Sequence, residues 1–136
     1  GDLETAAELL KRKGVATAEK RAGRIASEGK VVQKISADGK QGVLMEVNCE
    51  TDFVARTDQF KELAHNIAMQ VAAMDPQYVS NSDIPKDSLL DEDSALLSQT
   101  FIKDPTKTIQ ELITEAIGQI RENIQVKRFT RFQIGK

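Results

Sequence analysis

Between residues 43 and 72 the apolar residues change their period. Val43, Met45, Val47 and Cys49 alternate with Leu44, Glu46 and Asn48, a period of two that gives a strand one mostly apolar face. Phe60, Leu63, Ala64, Ile67, Ala68, Val71 and Ala72 then recur at helical spacing. A half-buried strand running straight into an amphipathic helix must find partner strands and lay that helix across them. The junction is Asn48-Cys49-Glu50-Thr51-Asp52-Phe53-Val54-Ala55. It holds a polar turn and then Phe53-Val54, a large apolar pair at a helix entrance. The pair is either a local staple or a projecting contact for another protein.

The flanking segments supply the partners. Residues 2–13 read as a helix with Leu3, Ala6, Ala7 and Leu10 on one face and Gly14 as its stop. Thr17 caps a second helix with Ala18, Ala22, Ile25 and Ala26 inward, ended by Gly29. Val31, Val32 and Ile35 lead into Asp38-Gly39, a turn in which glycine accepts positive φ, and the return strand is 42–49. Thr57 caps the long helix, which Asp75-Pro76 stops. Residues 77–80 read as a short extended piece and 81–93 as an acidic loop. Phe101-Ile102 forms an apolar island, and Thr106 or Thr108 caps a helix with Ile109, Leu112, Ile113, Ala116, Ile117 and Ile120 on one face. The last strand places Ile124, Val126, Phe132 and Ile134 toward the helices. Phe129 then falls out of phase beside Lys127, Arg131 and Gln133, which calls for a bulge, cover from the N-terminal helices, or an interface. These elements predict an α+β fold: a small antiparallel sheet of about three strands, helices packed on one face, and two short helices in front. Residues 1–28 are expected to form an N-terminal helical segment and 29–136 the core module.

Chemistry-bearing residues are sparse. The single histidine, His65, lies off the apolar face of its helix, and no nucleophile or carboxylate constellation accompanies it. There is no phosphate-cradling glycine loop and no G-x-G-x-x-G after a strand. One Cys and one His do not make a structural zinc site, and Asp91-Glu92-Asp93 reads as solvent-facing acid. Cys49 reads as a small core hydrophobe and excludes a disulfide framework. The chain is therefore expected not to be an enzyme and to need neither cofactor nor metal. No apolar run reaches the roughly 20 residues of a membrane span. Gly1 at the first position points to a processed or partial chain. The net charge of −2 argues against nucleic acid as the main partner, although residues 1–40 and 121–136 are basic around an acidic 75–104.

Glu46-Val47-Asn48-Cys49-Glu50-Thr51-Asp52-Phe53-Val54-Ala55-Arg56 resembles the signature of the elongation factor Ts family, the nucleotide exchange factors of elongation factor Tu. The resemblance extends to 10–14 and 20–29, to Ala68-Met69-Gln70-Val71-Ala72-Ala73-Met74-Asp75-Pro76, and to Phe101-Ile102-Lys103-Asp104 and 122–129. It implies a three-stranded antiparallel module whose Asp52 and Phe53 wedge into the partner's nucleotide domain and disturb the site of GDP and its magnesium ion. Thr51, Val54 and Ala55 would shape the wedge, Asn48 would join the partner-binding set, and Met69, Gln70 and Ala73 would form a second contact. The physics is linkage: a factor that binds empty partner more tightly than GDP-loaded partner must weaken GDP binding by the same ratio.

The chain departs from the family pattern in several places. Of the N-terminal three-helix module only the last helix, at 2–13, is recognisable, and a helical-hairpin insertion expected between about 85 and 96 is absent. Gln70 stands where many members have a histidine, and Arg121 where a glycine usually precedes Glu122-Asn123-Ile124. With one copy each of the wedge and the second segment, a short, single-module form is expected to dimerise, with Phe129 as a sheet-to-sheet contact. The resemblance places such a factor in bacterial cytoplasm, or in a plastid or the mitochondrial matrix. Two other readings stay open. One is a non-exchanging, ribosome-associated interaction module of the same fold. The other is a nucleic-acid-binding domain using Arg24, Lys127, Arg128 and Arg131 with Phe129 and Phe132.

Overall fold

A computed structural model describes residues 15–86 and 94–135. The expected helix at 2–13 and Asp91-Glu92-Asp93 lie outside them. Helix α1 covers 15–21 of the described residues and gives way to a turn at 22–24. The second helix thus ends earlier than its pattern suggests, and Thr17, expected as its cap, lies inside it. Ile25, expected inward, is 83% exposed, and Gly29 lies inside the first strand rather than at a helix end.

Strands β1 (Glu28–Ile35), β2 (Gln41–Cys49) and β5 (Gln125–Gln133) form one antiparallel sheet with β2 at its centre. The β1–β2 turn follows from Asp38, whose carboxylate accepts from Ser36 Oγ at 2.6 Å and from the Lys40 amide at 3.1 Å. Those bonds, Ser36 first, hold the Asp38 carboxyl below its ordinary pKa, and Gly39 takes the positive φ of 70°. Val43, Met45, Val47 and Cys49 are buried as their alternation predicts. Against them lie the single-turn helix α2 (Asp52–Ala55), the long helix α3 (Asp58–Met74) and helix α4 (Ile109–Ile120). The helices cover one face, which makes the fold α+β with a three-stranded sheet.

A β-bulge settles the phase of the last strand. Glu46 pairs with Arg128 but Val47 pairs with Val126, so Lys127 is the extra residue. Beyond it, Phe129 opposes Met45 and packs against the core, and Arg131 opposes Val43 on the helix-covered side. Phe132 and Ile134, expected to face the helices, are instead 73% and 74% exposed. Of the three explanations open for Phe129, the bulge is present.

A two-stranded hairpin, β3 (Thr100–Phe101) with β4 (Asp104–Thr108), precedes α4 and has no counterpart in the sequence pattern. Its strands are too short and polar to show a period. Thr108 caps α4 in a box with Glu111. Residues 77–80 are extended as expected: Tyr78 bridges Ala95, and the amides of Leu96 and Leu97 donate to the carbonyls of Tyr78 and Val79.

Helix α4 ends on Arg121 in the left-handed region, at φ 67° and ψ 33°, a conformation that glycine accepts without a Cβ penalty. This accounts for the glycine that the family usually has there. Arg121→Gly is expected to stabilise the chain by about 0.5–1 kcal/mol, raising the melting temperature by roughly 2–5 °C in a circular-dichroism melt. A fall instead would mean that the Arg121 side chain holds the loop.

Candidate functional site: a mounted phenylalanine

The last core residue of β2 is Cys49, whose Sγ donates to the Thr51 carbonyl at 3.2 Å. Burial, then the nearby Glu122 carboxylate, push its thiol pKa up to about 11, so Cys49 remains a neutral core side chain. The chain then reverses through Glu50 and Thr51. Thr51 is the N-cap of α2, its Oγ1 accepting from the Val54 amide at 3.2 Å. One turn later Thr57 caps α3 by accepting from Phe60 N at 3.2 Å, while its hydroxyl donates to the Val54 carbonyl at 2.7 Å. The two helices are therefore capped back to back. Val54 and Ala55 are buried against the sheet, and Phe53 on the opposite side is 80% exposed. Asp52 forms an exposed ion pair with Arg56 at 2.7 Å.

Two glutamates brace this turn from the far end of the sequence. The Glu122 carboxylate accepts from the amides of Glu50 and Thr51, each at 3.0 Å, and from Thr51 Oγ1 at 2.7 Å. In return the Glu50 carboxylate accepts from the Asn123 amide at 2.6 Å and lies 3.6 Å from Arg24 Nη1. Asn123 is buried and donates through Nδ2 to the Arg24 carbonyl at 3.0 Å. The loop after α4 and the loop after β2 thus exchange backbone amides for each other's carboxylates. Residue patterning does not assign this bracing role to Glu50, Glu122, Asn123 or Arg24. The available signal is two acids at chain reversals, where backbone N–H groups lack a ladder partner.

The predicted site residues divide. Asp52 and Phe53 project, and Thr51 is exposed but committed to the cap and the brace. Val54 and Ala55 are buried and so form the mount rather than the contact surface. Asn48 is half-buried beside Glu46, and with Arg128 it holds the Glu46 carboxyl below its ordinary pKa. Gln70 is fully buried, a departure from its expected surface role. Its Nε2 donates to Gln99 Oε1 at 3.2 Å and to the Thr100 carbonyl at 3.0 Å, and its Oε1 accepts from the Ile102 amide at 3.0 Å. It pins β3 to α3. Met69 is half-buried and Ala73 exposed. Asp52-Phe53 and Ala73 flank opposite ends of α3, roughly 20 Å apart along a helix that rises 1.5 Å per residue. They do not share one patch.

Of the basic residues of the nucleic-acid reading, Arg24, Arg128 and Arg131 each pair with a carboxylate, and Lys127 is exposed. Arg131 is 11% exposed, donates to the Ala72 carbonyl at 3.1 Å and lies 3.5 Å from Asp75, at the C-terminal end of α3 where a cation is favoured. Arg128 pairs with Glu46 at 2.9 Å, and Phe129 packs inward. His65 is exposed. Among the described residues there is no group of three or more His, Cys, Asp or Glu able to hold a metal, and no helix is long and apolar enough to cross a membrane.

The sequence profile of the family described as Elongation factor TS matches residues 6–95. The chain is 44% identical to Elongation factor Ts of Thermotoga neapolitana over 165 aligned positions, covering 100% of this chain and 84% of the relative. It is likewise 44% identical to Elongation factor Ts of Moorella thermoacetica, covering 100% and 82%. It is 43% identical to that of Koribacter versatilis, covering 99% and 76%. An alignment of 165 positions over 136 residues means that the Thermotoga protein carries residues with no counterpart between this chain's aligned ends.

Proposed function

Because this chain belongs to the elongation factor Ts family, we propose that it binds elongation factor Tu and promotes release of GDP during translation, without itself being an enzyme. The observation that carries the proposal is Phe53: a large apolar side chain left 80% exposed on a helical turn whose other side is buried and capped. An exposed Phe on a rigid mount suits a partner's pocket, where a buried aromatic anchor is worth roughly 2–4 kcal/mol. Asp52 beside it brings negative charge toward a site that holds magnesium and phosphate. Release needs no bond-making group, because the factor acts by binding empty partner more tightly than GDP-loaded partner. Thr51 and Asn48 support the wedge, and exposed Ala73 with half-buried Met69 forms the second contact. The named relatives are bacterial, and a bacterial cytoplasm is the setting proposed. The test is release of a fluorescent GDP analogue from elongation factor Tu with the chain added. Unchanged release would leave a non-exchanging interaction module.

A second observation favours a homodimer. The helix-free face of the sheet exposes Val31, Ile35, Leu44, Phe132 and Ile134. In register, Ile35 and Phe132 flank Gly42, leaving a shallow cleft of about 300 Å³. Exposed apolar side chains on all three strands of one face favour association, and a second copy would supply a second wedge and a second α3 end. Phe132 takes the contact role first assigned to Phe129. Sedimentation should give a dimer that Phe132→Lys converts to monomer. A parent chain that is monomeric at micromolar concentration overturns this part.

A further inference from the structure

The geometry points to Glu122, with Glu50 as its counterpart, as the positioning residue that sets the direction of Phe53; this rests on the exchange reading above. Phe53 is too exposed to be held by its own packing, so its direction is that of the backbone from 50 to 55. Helix α2 has four residues, far short of the length at which a helix persists alone. Val54 and Ala55 anchor one side of it. What fixes its entrance is the brace.

Glu122 receives three donors from two consecutive residues, the amides of Glu50 and Thr51 and the Thr51 hydroxyl. Because that hydroxyl donates to a carboxylate, its lone pairs are left for the Val54 amide, which it accepts at 3.2 Å. The carboxylate therefore orients the cap, and the cap orients the turn that carries Phe53. Glu50 closes the arrangement from the other side by taking the Asn123 amide at 2.6 Å. Charge-assisted bonds of this kind are short and directional. Thr51 is exposed and Glu122 half-buried, so water can replace the lost acceptor, and removing it disturbs direction more than global stability.

A structural role and a positioning role differ in the concentration dependence of exchange. Destabilised chain lowers the active fraction and shifts the factor concentration needed, whereas a misdirected wedge lowers the release rate at saturating factor. The experiment measures fluorescent GDP release from elongation factor Tu against concentration for the parent chain, Glu122→Ala and Glu122→Gln, with melting temperatures alongside. Glu122→Ala should lower the saturating rate by about 10- to 100-fold, the range associated with a misplacement of about 1 Å. Glu122→Gln keeps one oxygen for the two amides and should recover part of the rate. Should Glu122→Ala not fold, Glu122→Gln alone decides, with a reduced saturating rate supporting the inference. A saturating rate equal to the parent's, with only the concentration axis moved, overturns it. A parent chain that leaves release unaccelerated overturns the exchange reading and this inference together.

Discussion

Phe53→Ala is expected to lower the accelerated rate of GDP release from elongation factor Tu by roughly 30-fold or more, the equivalent of about 2 kcal/mol of lost anchor. The melting temperature should stay close to the parent's. The two halves follow from one fact. With 80% of Phe53 exposed, truncation removes almost no packing from the folded chain, and surface substitutions of this sort usually shift stability by less than about 0.5 kcal/mol. Its neighbours Val54 and Ala55 have the opposite profile, since both are buried in the core. Truncating either would disturb the mount and the fold together, so Phe53 is the residue at which exchange and stability separate. Fluorescent-GDP release and a thermal melt on the same preparation check both. An unchanged release rate would remove Phe53 from the contact surface.

The largest effect on stability is expected at Gly29. It lies in β1 opposite Asn48, with φ at 144°, and a Cβ there would come 2.1 Å from the Val47 carbonyl oxygen and 2.7 Å from Asn48 Cα. Both obstacles are backbone, and neither can swing aside as a flexible side chain would. Gly29→Ala must therefore pull β1 away from β2 or strain its own backbone, at a cost of about 3 kcal/mol or more. For a chain of this size that corresponds to a loss of roughly 10 °C in melting temperature. Because Asn48 leads through Cys49 into the braced turn, exchange should weaken as well. A melting temperature equal to the parent's would show that β1 does not begin against β2 in this way.

Gly29 also shows where sequence reading fails. A glycine after a run with helical spacing reads as a stop, and the same residue serves equally where a strand's backbone passes close to its neighbour. No local signal separates the two. The case of Phe129 is similar. Val126 and Phe129, three apart, can both face the core only if an extra residue is inserted between them, and nothing in the residues marks Lys127 as that insertion. Gln70 differs for another reason. The family resemblance implies a surface contact there, yet Gln70 is buried, and its burial is favourable because Gln99, Thr100 and Ile102 meet its hydrogen-bonding groups.

Local periodicity determined the elements that depend on their own residues. These are β2 with its inward Val43, Met45, Val47 and Cys49, the Asp38-Gly39 turn, the threonine cap at Thr57, and the apolar faces of α3 and α4. The motif from Glu46 to Arg56 determined the family and placed Asp52-Phe53 at its centre. Tertiary structure decided what depends on distant partners. It chose which side of α2 is buried and which is exposed, which of Thr106 and Thr108 caps α4, the phase of β5 beyond the bulge, and the brace that joins Glu50 and Thr51 to Glu122 and Asn123. Those contacts link residues more than seventy positions apart, and at such separations the register of the sheet, not the neighbouring sequence, determines which groups meet.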